Sequence, residues 1–115
     1  MSTFITAKRK SLGMKFIFIY VTYEKEIDAQ IISEQLVKEK LIACANIHKI
    51  QSLYQWKGEV VKAEEWVSIL KTKDENWEIV RDRVEEIHPY DIPCISKLPV
   101  QANLNYANWI IDSCA

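Results

Sequence analysis

The sequence predicts an α+β sandwich, with elements in the order β-α-β-β-α-β and one further helix appended, and three observations carry that reading. A β-branched and aromatic run, Phe16–Thr22, precedes an amphipathic stretch at Glu24–Leu41. Two long apolar-rich segments, Ile42–Trp56 and Glu59–Thr72, fold about Trp56-Lys57-Gly58-Glu59. A second helical period, Trp77, Val80, Val84 and Ile87, leads through a proline-bounded segment into a last short strand.

Taken in order, residues Met1–Gly13 show no sustained period and carry the cluster Lys8-Arg9-Lys10, so residues 1–14 read as a loose extension and 15–115 as one domain. Phe16–Thr22 reads as a strand buried on both faces, hence central in its sheet. Glu24–Leu41 places Ile27, Ile31, Ile32, Leu36 and Val37 at helical spacing, with Glu34, Lys38 and Glu39 on the other side. In the hairpin that follows, Gly58 supplies the positive φ of a tight turn. Asp74 is the expected N-cap of the second helix. That helix should stop at His88, because Pro89 disfavours the α conformation in the residue before it. Cys94–Val100 reads as a short strand, with Pro99 pointing to an edge or an end. Asn103–Ser113 reads as a short closing helix that offers Leu104, Ala107, Ile110 and Ile111 for packing. This order is that of a split βαβ, or ferredoxin-like, sandwich with a long central hairpin, and right-handed crossovers put both main helices on one face of a four-stranded sheet.

The hairpin is too long for its own domain. Each arm reaches about 45 Å at the usual rise per residue, whereas a compact chain of this length is about 35 Å across. It must bend or project, and Leu53, Tyr54, Trp56, Trp66 and Val67 suggest that neighbouring copies cover the sheet face the helices leave bare. Closed self-association is the expected outcome.

Composition narrows the functional classes. With 115 residues, 49% apolar and 27% charged, the chain suits one globular domain. A net charge of −1 with interspersed signs gives no basic stripe for nucleic acid. The longest apolar run, Phe16–Val21, falls far short of the ~20 residues needed to span a bilayer, and no small-residue cleavage site follows it. Three widely spaced cysteines, Cys44, Cys94 and Cys114, form neither a disulfide framework nor a zinc pattern. A cytoplasmic protein with reduced thiols is the expectation, and Cys44 suits a small core residue better than a reactive thiol.

Few residues point to chemistry. His88-Pro89-Tyr90-Asp91-Ile92-Pro93 holds three polar side chains on a backbone stiffened by two prolines, which suits a binding loop and equally suits a helix stop. Cys44 and His48 are both good metal ligands, but four residues along a strand separates them by ~13 Å, too far for one ion. Tyr54, Trp56, Glu59, Lys71 and Tyr90 are candidates to line a cleft between subunits, with interface packing as the alternative for the aromatic residues and a cross-strand ion pair for Glu59 with Lys71. Glycine occurs only at positions 13 and 58, so no glycine-rich phosphate loop exists. An enzyme with His88 as general base would lack a visible nucleophile and a carboxylate pair, so the expectation is a non-enzymatic protein.

The phrases Glu39-Lys40-Leu41-Ile42-Ala43-Cys44-Ala45-Asn46-Ile47, Ser52-Leu53-Tyr54-Gln55-Trp56-Lys57-Gly58-Glu59, Leu70-Lys71-Thr72 and His88-Pro89-Tyr90-Asp91-Ile92-Pro93 closely resemble the CutA family of divalent-cation tolerance proteins. Tyr106 with Trp109-Ile110 resembles that family's closing helix, and the likeness runs from about Lys15 to Ile111. The resemblance implies a ferredoxin-like fold, a homotrimer built through the long strands, and a part in tolerance of divalent metals including copper. It also implies an architecture like that of PII signalling proteins, so the alternative is a signalling or scaffold trimer holding a small metabolite or a protein partner in its inter-subunit cleft. Metal ligation in some bacterial members uses a cysteine at the end of the first strand and two adjacent histidines before Pro-Tyr. Those positions hold Val21, Ile87 and His88 here, so only His88 remains, with Asp91 and Cys94 as further candidate donors to copper or zinc. No cofactor is required on this reading.

Overall fold

The computed structural model describes residues 16–115. The expected loose extension therefore lies outside the described residues. The elements are β1 (Phe16–Tyr23), α1 (Glu26–Lys38), β2 (Cys44–Trp56), β3 (Glu59–Lys73), a 3-10 turn at Asp74–Asn76, α2 (Trp77–Ile87), β4 (Ile95–Val100) and α3 (Leu104–Asp112). The four strands form one sheet in the order β2-β3-β1-β4, with each neighbouring pair antiparallel. This is the ferredoxin-like arrangement, and β1 is central as its two-faced burial demands.

Alternation along β1 sets the two faces. Ile17, Ile19, Val21 and Tyr23 point into the main core with Leu70 of β3, where they meet Ala29, Ile32 and Leu36 of α1 and Val80 and Val84 of α2. Phe16 points to the opposite face, where Ala107 and Ile110 of α3 pack with it and Phe18, Ala43, Cys44, Val100 and Tyr106 flank the cluster. Thus α1 and α2 cover one face and α3 covers one end of the other.

α1 departs from its sequence reading in two ways. Its buried stripe is Ala29, Ile32, Ser33 and Leu36, whereas Ile27, Ile31 and Val37 are exposed. Small residues let the helix sit close to the sheet, and that stripe wins over the bulkier one. The helix also ends at Lys38 rather than Leu41. Lys40 turns left-handed at φ 60°, its N–H donates to Val37 O at 3.0 Å, and Leu41 N–H donates to Leu36 O at 3.0 Å. That is a Schellman cap with lysine where glycine is usual. Asp74 is likewise no N-cap: it opens the 3-10 turn, and its carboxylate meets Lys97 Nζ at 3.0 Å. α2 stops at Ile87 with His88 extended at ψ 139°, as Pro89 requires.

β2 and β3 stay in unbroken register from Cys44↔Lys71 to Trp56↔Glu59. The connecting turn puts Lys57 at φ 52° and Gly58 at φ 81°, the two positive values of a type I′ hairpin, whose twist matches its strands. β1 accompanies β3 only from Trp66 to Lys73. Beyond that point Ile50–Trp56 and Glu59–Glu65 project as a two-stranded arm. The described residues accordingly extend 62 × 27 × 21 Å with a radius of gyration of 16.6 Å. About 13 Å would be usual at this length.

Candidate functional site

Three places hold the residues singled out from the sequence: the loop after α2, the arm, and the end of the sheet beneath α3.

In the loop, His88 is 7% exposed and its ring is engaged on every side. Nε2 donates to Thr22 O at 2.8 Å, and Nδ1 accepts the Tyr90 backbone N–H at 3.0 Å. The ring is therefore a neutral imidazole with its proton on Nε2. It stacks on Tyr23 at 5.0 Å and meets Tyr90 edge-on at 4.8 Å. A metal ligand needs a free lone pair, and in this arrangement the one on Nδ1 is already accepting. Asp91 and Cys94 are exposed, and Cys94 Sγ lies 3.7 Å from Ser96 Oγ. Among the described residues, no three of His, Cys, Asp and Glu converge as a metal cluster. What the proline-bounded loop does in one chain is tie the end of α2 to the end of β1.

Residues that the sequence did not single out complete this region. Tyr23 is fully buried and its hydroxyl bonds Ser68 Oγ at 2.6 Å; burial pushes that phenol up to about 12. The Tyr90 hydroxyl donates to Glu65 Oε2 at 3.4 Å, and Ser52 Oγ donates to Glu65 Oε1 at 2.6 Å. Partial burial, with the Glu65 charge beside it, raises the Tyr90 phenol to about 12. Glu65 is the last β3 residue before the sheet proper, so the loop and the root of the arm are joined through one carboxylate. Only a tertiary contact reveals this pair, 25 residues apart in the chain.

On the arm, Tyr54, Trp56 and Glu59 sit at or near the tip, where Trp56 pairs with Glu59 and Tyr54 with Val61. Exposure is 64% at Leu53, 63% at Trp56 and 71% at Val60, so apolar side chains on both faces of the arm stand in solvent. The expected ion pair of Glu59 with Lys71 does not form: both lie on β3, at opposite ends of the strand, and they are not across from one another.

Lys71 instead sits at the α3 end of the sheet. Its Nζ donates to Tyr106 Oη at 2.9 Å and lies 5.4 Å from the Phe18 ring centre and 5.3 Å from that of Tyr106. Cys44 is its cross-strand neighbour in β2. The cleft candidates thus divide among three places, with Tyr54, Trp56 and Glu59 on the arm, Tyr90 in the loop at the root of the arm, and Lys71 at the far end of the sheet.

Comparison with known proteins agrees with this architecture. The family profile described as CutA1 divalent ion tolerance protein matches residues 17–113. The divalent-cation tolerance protein CutA of Thermotoga maritima is 39% identical over 98 residues, covering 84% of this chain and 97% of the relative. The crystal structure of divalent ion tolerance protein CutA1 from Ehrlichia chaffeensis superposes with a TM-score of 0.82 at 37% identity, covering 87% of this chain and 95% of that one. The structure described as the periplasmic divalent cation tolerance protein CutA from Archaeoglobus fulgidus gives a TM-score of 0.79 at 36% identity, over 85% and 97% of the two chains. With strand order, long hairpin and closing helix all in place, this chain belongs to the CutA family of divalent-cation tolerance proteins.

Proposed function

We propose that the protein acts as a homotrimer in tolerance of divalent metal ions, copper among them, without catalysing a reaction. The observation that carries this is the arm: Leu53, Trp56 and Val60 expose apolar surface that no other described element covers, and the relatives named above are described by divalent-cation tolerance. Three copies around an axis give each arm a sheet to lie on and leave no open end. Metal acts weakly at the junctions between copies, where Asp91 and Cys94 are exposed donors, and His88 acts as the anchor that presents them. The non-catalytic part rests on His88, whose two nitrogens are held by backbone groups and so are not poised for proton transfer. We place the protein in the cytoplasm, where Cys44, Cys94 and Cys114 remain thiols.

Sedimentation at micromolar concentration and calorimetric titration with copper and zinc test this together. A trimer whose metal heat disappears in Asp91→Asn/Cys94→Ser supports both parts. A monodisperse monomer removes the assembly. A trimer that gives no heat, or the same heat after the double substitution, removes direct binding at those donors.

A further inference from the structure

Copies of the chain, on the reading above, meet through the arm and the sheet face opposite α1 and α2, which leaves the outer side of the helix layer open. That side is not purely polar. Ile27 and Ile31 stand one turn apart on α1, opposite the buried stripe of Ala29, Ile32, Ser33 and Leu36, and are 52% and 58% exposed. Val37 in the last turn of α1 and Ile79 in the first turn of α2 are exposed as well. Single exposed apolar side chains are ordinary, whereas four on one layer are a surface that another segment can cover.

Charge identifies the occupant. Acidic side chains outnumber basic ones on both helices, and Glu78 and Glu85 of α2 are exposed with no ion-pair partner among the described residues. Every Asp and Glu of the chain follows residue 15, whereas residues 1–15 carry Lys8, Arg9, Lys10 and Lys15 together with Phe4, Ile5, Leu12 and Met14. Basic and apolar groups in one short segment complement an acidic face with apolar places. The segment lies outside residues 17–113, which the family profile matches, so the shared CutA architecture assigns it no place.

Its point of attachment suits this surface. Phe16 pairs with Lys73, just before the turn into α2, and Thr72 and Asn76 both donate to Leu41 O, just after α1. The chain therefore enters β1 at the end of the layer where α1 stops and α2 starts, the end that carries Val37 and Ile79. Residues 1–15 can span up to about 50 Å and α1 is about 20 Å long, so Ile27 is within reach.

We propose that the outer face of α1 and α2 is the docking surface for the chain's own residues 1–15, with Lys8-Arg9-Lys10 over the helix carboxylates and Phe4 and Ile5 on Ile27 and Ile31. This docking goes beyond metal tolerance and does not rest on it.

Carbodiimide treatment of the full chain, which condenses lysine amines with nearby carboxylates, followed by mass spectrometry of the linked peptides, tests the docking. Lys8 and Lys10 should link to Glu34, Glu78 or Glu85, and in an equal mixture of 14N and 15N chains the links should join peptides of the same isotope. Phe4→Ser/Ile5→Ser and Ile31→Ser should each lower the yield of those links about threefold or more, because the apolar half of the contact is gone. The Ile27 and Ile31 methyl resonances should also move in Phe4→Ser/Ile5→Ser. Circular dichroism should be unchanged in both variants, since Ile31 is 58% exposed and positions 4 and 5 precede the first strand. Absence of the links, links confined to the arm carboxylates Glu59, Glu64 and Glu65, or links only between isotopes would overturn the docking. So would a link yield and methyl spectrum unaltered in Phe4→Ser/Ile5→Ser, which would reduce the contact to chance encounter of opposite charges.

Discussion

Along β3, the stretch from Trp66 to Lys73 and the stretch from Glu59 to Glu65 both carry apolar residues and have opposite surroundings. The first has a strand on each side and buries Val67, Ser68, Leu70 and Thr72. The second has β2 alone beside it and leaves Val60 71% exposed. Apolar content therefore does not place a residue inside; the number of neighbouring elements does. The body is stabilised by its own chain, and the arm leaves apolar surface that no other described element covers.

Four substitutions or conditions would break or sharpen that contrast. Leu70→Ala in the body removes a fully buried side chain and should destabilise by about 2–5 kcal/mol in equilibrium denaturation. A loss below about 1 kcal/mol would mean the body is not close-packed there. His88→Ala, at the junction of body and arm, unmakes the bonds to Thr22 O and Tyr90 N–H and should cost about 1–3 kcal/mol. Loss of Tyr90 amide protection from hydrogen exchange would mark the released loop.

Trp56→Asp on the arm should change the intrinsic stability of the chain by no more than about 0.5 kcal/mol, since the side chain is 63% exposed. Its effect belongs to assembly: sedimentation should report a smaller species with unchanged circular dichroism. An unfolded variant would show that the arm packs on its own body.

The smallest effect is confined to the body. Hydrogen bonds from Arg83 and Gln35 hold the Glu39 carboxyl down from 4.5 to about 2. A depressed carboxylate pKa stabilises above pH 4.5 and is lost as pH falls toward about 2. Arg83→Met should flatten that part of the acid limb and leave stability near neutral pH only slightly changed.

Features set by local pattern were legible in the sequence. The two-faced run at Phe16–Thr22 announced a central strand, Gly58 announced the turn, and Pro89 announced the end of α2. Features set by competition between patterns were not. α1 offers two apolar stripes, and only the approach to the sheet selects Ala29, Ile32, Ser33 and Leu36 over Ile27 and Ile31. Lys40 carries no glycine signal for the cap it makes. The loop stood out as a stiffened set of polar side chains, yet the partner of His88 is the carbonyl of Thr22, 66 residues away, and no spacing rule reaches that far. Lys71 was visible as a candidate, whereas its aromatic surroundings come from β1 and α3, which meet it only after folding.

The unbroken β2–β3 ladder also has a mechanical meaning. With neither bulge nor proline between the tip and Leu70, the arm has no hinge and behaves as a stiff beam clamped at Trp66. A force applied at Trp56 is therefore borne by the same ladder that continues into the body beside Leu70.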